Sequence, residues 1–83
     1  MLATVASLTS ANRIKRRAYE LGVFSSVIQT PQTLAREGCG YSLRFEDSSR
    51  KIIEGAASEL GIKTRAFYYE TIVEGKKKYI KSE

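Results

Sequence analysis

Cys39 is the only cysteine in a chain of 83 residues that has no histidine. Nucleophilic chemistry here is therefore thiol chemistry, and a His-dependent triad or a Cys/His metal centre has no residues to build it. No metal and no cofactor are expected, and a single thiol makes no internal disulfide. Gly38 and Gly40 flank the sulfur, remove side chains on both sides and leave it open to attack or transfer. An ordinary thiol has a pKa of about 8.5 and is only a few per cent thiolate at neutral pH, so a reactive one needs cations or free helix N–H groups beside it. Two roles stand open for Cys39: an activated thiol, or a small hydrophobe filling a gap. Glu37 and Glu46 lie near it without a partner and read as surface charges. Gly38-Cys39-Gly40 is too short for a phosphate-binding loop and lacks its Lys-Ser/Thr ending.

The flanking elements decide what can gather around that thiol. Residues 1–8 are β-compatible, and Thr9 or Ser10 is the expected cap of a first helix with Ala11, Ile14, Ala18 and Leu21 at helical spacing. Gly22 suits the left-handed position past its end. Residues 24–29 read as a strand and 30–40 as a long loop. Tyr41, Leu43 and Phe45 alternate with Ser42 and Arg44, the period of a half-buried strand. Asp47 or Ser48 is the expected cap of a second helix with Ile52, Ile53, Ala56, Ala57 and Leu60 on its inner face and Gly61 at its end. Residues 64–73 are β-rich, Glu74-Gly75 offers a turn, and KKKYIK has the makings of a short returning strand. Glu20-Leu21-Gly22-Val23 recurs 39 positions later as Glu59-Leu60-Gly61-Ile62, which makes two similar halves.

The expected fold is α+β and ferredoxin-like, β-α-β-β-α-β, with an antiparallel sheet, both helices on one face and room for an extra C-terminal strand. Residues 1–73 would form that single domain and 74–83 a basic extension. In such a sheet the first and third strands are antiparallel neighbours. The end of the first strand then sits beside Cys39, and the fourth strand begins at the same edge. Thr9, Ser10, Lys63 and Arg65 are thereby expected near the thiol, with Arg36 arriving on the loop. That setting would stabilise a thiolate.

Thr30-Pro31, a short spacer and Cys39-Gly40-Tyr41-Ser42-Leu43-Arg44-Phe45, with residues 7–11 entering the first helix, resemble the small bacterial family of selenium/sulfur carrier-like proteins. The similarity runs from about Ala3 to Tyr69. It implies that Cys39 holds sulfur or selenium as a persulfide-type adduct, and that the natural partner is a donor protein such as a cysteine desulfurase. The chain departs from that pattern at Gln32, where a basic residue is common. It also has Gly40 after the cysteine, where established sulfur-relay proteins have proline.

Fourteen basic and nine acidic residues give a net charge of +5, concentrated in Arg13, Lys15, Arg16 and Arg17 and in Lys76, Lys77, Lys78 and Lys81. Solvated faces are the plain reading of those runs, and a phosphate-binding surface the sharper one. A nucleic-acid-binding or dimerising regulatory module is thus the alternative to a carrier. Nucleic-acid binding is not favoured, because the first strand supplies no aromatic to stack a base and GCGYSLRF matches the RNA-recognition strand motif poorly, whereas nothing in the sequence excludes the dimerising module. Tyr41 and Phe45 read instead as core or interface residues. Open sheet edges suggest a homodimer through residues 64–80. No stretch reaches the roughly 20 apolar residues of a membrane span, and without a leader-like N-terminus the expected location is cytoplasmic.

Overall fold

The apolar start of the chain becomes the middle of a sheet. The computed structural model describes residues 1–35 and 40–82. Its strands are β1 (Leu2–Val5), β2 (Ser26–Gln29), β3 (Tyr41–Arg44), β4 (Ala66–Val73) and β5 (Lys76–Ser82), and its helices are α1 (Leu8–Glu20) and α2 (Arg50–Glu59). The sheet is antiparallel throughout, in the order β2-β3-β1-β4-β5. A fifth strand outside β4 distinguishes it from the simple four-stranded pattern.

Alternation along the strands sends Ala3, Val5, Leu43, Phe45 and Phe67 into one core with Ala11, Ile14 and Ala18 of α1 and Ile53, Ala56 and Ala57 of α2. Ile14 and Ile53 are fully buried, and each contributes about 1.5–3 kcal/mol by leaving water. Leu60 packs against the same cluster from its edge. Leu21 and Ile52, both expected on the inner faces, are 44% and 38% exposed. Leu21 is the C-cap of α1, past the last residue of the helix proper, and Val23 takes the inward position after it. Ile53 takes the inward position in α2, and its neighbour Ile52 is rotated about 100° off it.

Helix entry differs from expectation at both helices. Ser7, in extended conformation, caps α1: its Oγ accepts from the Ser10 N–H at 3.1 Å. Thr9 and Ser10 are already helical, so Ser10 supplies the donor and not the cap. Asp47 and Ser48 belong to a 3-10 turn (Asp47–Ser49) that leads into α2, whose start has no side-chain cap bond. The strand expected from residue 24 begins only at Ser26.

Helix exit follows the repeated sequence. Gly22 has φ 88° and Gly61 φ 68°. Val23 N–H donates to the Ala18 carbonyl and Gly22 N–H to that of Tyr19, at 2.9 and 3.0 Å; Ile62 to Ala57 and Gly61 to Ser58 repeat the pattern at 2.9 and 3.1 Å. This pair of bonds satisfies carbonyls left open by the last turn, and the residue after the glycine packs inward. The 39-residue repeat is thus one C-terminal cap used twice.

Candidate functional site

β1 ends where β3 and β4 begin. Val5 faces Tyr41, Thr4 faces Ala66, and Arg65 N–H donates to the Thr4 carbonyl at 2.9 Å. Gly40 immediately precedes β3, and its carbonyl oxygen accepts from the Thr30 N–H at 3.0 Å. Gly40 and Arg65 therefore flank the same end of β1, two strand spacings or about 10 Å apart. Cys39, Arg36 and Gly38 lie outside the described residues. Gly40 is exposed, and a side chain added there would meet nothing within 4 Å.

Beyond that end of β1 the chain passes through Ala6 into α1, and the α2 exit at Gly61 comes back beside it. The space between them is a cavity of about 680 Å³, lined by Ala6, Ser10, Arg13, Gly61, Lys63 and Arg65 among others. Three of the expected site residues, Ser10, Lys63 and Arg65, thus share one concavity. Thr9 does not join them and lines the next depression, with Asn12, Arg13 and Arg16. Arg13 is the residue that sequence reasoning passed over as part of a charge run. Its signal was its place three residues after Ser10, on the same side of the helix.

The electrostatics of the cavity are one-sided. Arg13, Lys63 and Arg65 line it, no carboxylate among the described residues does so, and the first turn of α1 carries no acid. Arg17, on the same helix, is occupied elsewhere: its Nε donates to Glu59 Oε2 at 2.7 Å, and this bond holds the Glu59 carboxyl below the ordinary carboxylate range. Clustered cations without a counter-charge hold an anion, or keep a neighbouring thiol ionised. Such a site can steer and stabilise negative charge, and its chemistry then depends on the nucleophile delivered to it.

The two strand aromatics fall as expected on the inner side: Phe45 is 5% exposed and in the core, and Tyr41 packs against it. The described residues contain no group of three or more His, Cys, Asp or Glu able to hold a metal ion, and no helix long and apolar enough to cross a membrane.

No curated protein and no solved structure matches the chain. A family model described as "Putative Se/S carrier protein-like" matches residues 1–69, a span that takes in β1 through the first half of β4, the cationic cavity and Cys39. The chain belongs to this Se/S carrier-like family.

Proposed function

We propose that the protein carries sulfur or selenium on Cys39 as a persulfide-type adduct, on a ferredoxin-like core to which β5 is added. The observation that carries this reading is the cavity of Arg13, Lys63 and Arg65 at the same end of the sheet as Gly40, the residue that follows the thiol in sequence and leads into β3. Family membership supports it. In the transfer step the Cys39 thiolate attacks the outer sulfur of a donor persulfide. A new S–S bond forms at Cys39, the donor S–S bond breaks, and the donor leaves as a thiolate, so no external oxidant is consumed. The same exchange passes the sulfur to an acceptor thiol. The cations favour the attacking thiolate and the anionic adduct, and a general base is not needed once the thiolate is populated. A cysteine desulfurase, whose product is a protein persulfide, is the donor class that fits.

Incubation with a cysteine desulfurase and cysteine should add the mass of one sulfur to the intact chain. Dithiothreitol should remove it and Cys39→Ser abolish it. Lys63→Glu with Arg65→Glu should slow loading while Cys39 remains open to alkylation. A Cys39 thiol that resists alkylation until the protein is denatured would be a buried gap-filler, and the carrier reading would fail.

A further inference from the structure

The cationic cavity is one end of a longer concave track. Arg13 also lines a second depression of about 310 Å³, with Thr9, Asn12 and Arg16. Asn12 and Arg16 continue into a third, of about 270 Å³, which reaches Lys15, Tyr19 and Phe24. Shared residues join the three along the exposed side of α1. From Ser10 to Tyr19 this covers about 14 Å of helix axis at 1.5 Å per residue. Lys63, Arg65, Arg13, Arg16 and Lys15 line the track, and no carboxylate among the described residues does. Glu20 and Glu59 pair with Arg17, which does not line the track, at 3.6 and 2.7 Å.

The far end of the track is aromatic. Phe24 is 80% exposed and Tyr19 63%. Their ring centroids lie 5.4 Å apart with planes at 65°, an edge-to-face contact that leaves ring surface in water. The left-handed Gly22 that closes α1 turns the chain so that Phe24 comes back against Tyr19. Large exposed aromatics beside cations mark a contact surface, since neither ring adds to the core.

We propose that this track binds single-stranded nucleic acid, with phosphates along Arg13 and Arg16 and a base stacked on the Tyr19–Phe24 pair. A single strand offers one negative charge and one π-face per nucleotide, which matches a row of cations ending in open rings. An acidic peptide brings the charge without the stacking faces. A flat anionic bilayer meets the rims of the depressions and not their floors. Stacking on the strand aromatics Tyr41 and Phe45, as in RNA-recognition folds, is closed here because Phe45 is buried and Tyr41 packs inward. Binding on α1 needs no part of Cys39, so it stands or falls apart from the carrier reading.

The test is fluorescence anisotropy of the full chain with a short labelled oligouridylate over a range of salt. Affinity should fall with salt at a log–log slope of about −0.7 per phosphate neutralised. Arg16→Glu should weaken binding and flatten that slope. Phe24→Ala should weaken it about 5-fold or more at every salt while leaving the slope unchanged, the signature of a lost stack. Phe24 is exposed enough for that variant to keep the wild-type melt, and Lys78→Glu on β5 should bind as wild type. Four results would overturn the proposal: no binding at low salt, wild-type affinity in Phe24→Ala, a loss confined to Lys78→Glu, or equal binding of polyglutamate or phosphatidylserine vesicles with the same dependence on Arg16 and Phe24.

Discussion

Two regions hold most of the positive charge, and they differ in what stands behind them. The cations of α1 project from a helix whose opposite side buries Ala11, Ile14 and Ala18 against the sheet. The lysines of β5 sit on a ribbon. β4 pairs with β1 only through Ala66, Phe67 and Tyr68, and Tyr69–Val73 pair with β5 alone. The ribbon of that stretch and β5, which beyond Tyr69 lies past the family match, exposes Ile72, Val73 and Ile80. A two-stranded ribbon is marginal in isolation, and lysines on both of its faces oppose pairing of its free edge with another strand. Similar charge runs therefore do different work. One lines concave ground on a rigid helix, and the other guards an edge.

The severest way to break this contrast is to remove the support of the first region. Ile53 is fully buried between α2 and the sheet. Ile53→Asp places a carboxylate there with no partner, and the chain should show no cooperative thermal transition by circular dichroism. Ile53→Val, which loses one methylene, should cost about 1 kcal/mol. A near-wild-type melt for the Asp variant would mean that α2 does not hold α1 in place.

Hydrogen exchange sharpens the contrast at a smaller scale. Amides of Ala3 and Leu43, in central strands, should exchange only through global unfolding. Those of Thr71 and Lys78, which face each other across the outer ribbon, should exchange through local opening at a free energy several kcal/mol lower. Uniform protection across β1, β3 and the outer ribbon would make body and ribbon one cooperative unit.

The sequence showed most of this scaffold because its signals are local. Alternation at residues 41–45, helical spacing at Ile14 and Ile53, and glycine at 22 and 61 each act over a few residues. The repeat was legible because one cap was used twice. Helix entries were less so: Thr9, Ser10, Asp47 and Ser48 are all good caps by type, and only the backbone at Ser7 and the 3-10 turn decided between candidates. The meeting of Ser10, Lys63 and Arg65 was deducible from topology, because antiparallel pairing fixes which strand ends coincide. Arg13 was legible only through its spacing from Ser10, and the Tyr19–Phe24 contact was not legible at all, since it depends on the turn at Gly22. Cys39 gives no such contrast, because the described residues stop short of it.

The smallest expected effect lies where ribbon meets body. Arg44 on β3 reaches Glu70 on β4 through two bonds, Nε to Oε1 at 2.7 Å and Nη2 to Oε2 at 3.1 Å, with Lys77 at 3.8 Å. The Arg44 hydrogen bond holds the Glu70 carboxyl below its ordinary range, against the opposing effect of partial burial. A folded-state pKa lower than the unfolded one makes the unfolded chain bind more protons between the two values. Stability therefore rises with pH through that window, is fully present above the ordinary carboxylate pKa of about 4.3, and is lost as pH falls through the lower folded value. Urea denaturation across the acid range should show Glu70→Gln flattening this limb and costing about 1 kcal/mol at neutral pH, as a bidentate, partly shielded pair would. The exposed Arg17–Glu59 pair has the same sign, but water and salt screen it, so Glu59→Gln should move the curve less and lose its effect in high salt. Equal responses from the two variants would mean that Glu70 does not tie the ribbon to the body, and that β5 is held by its backbone pairing with β4 alone.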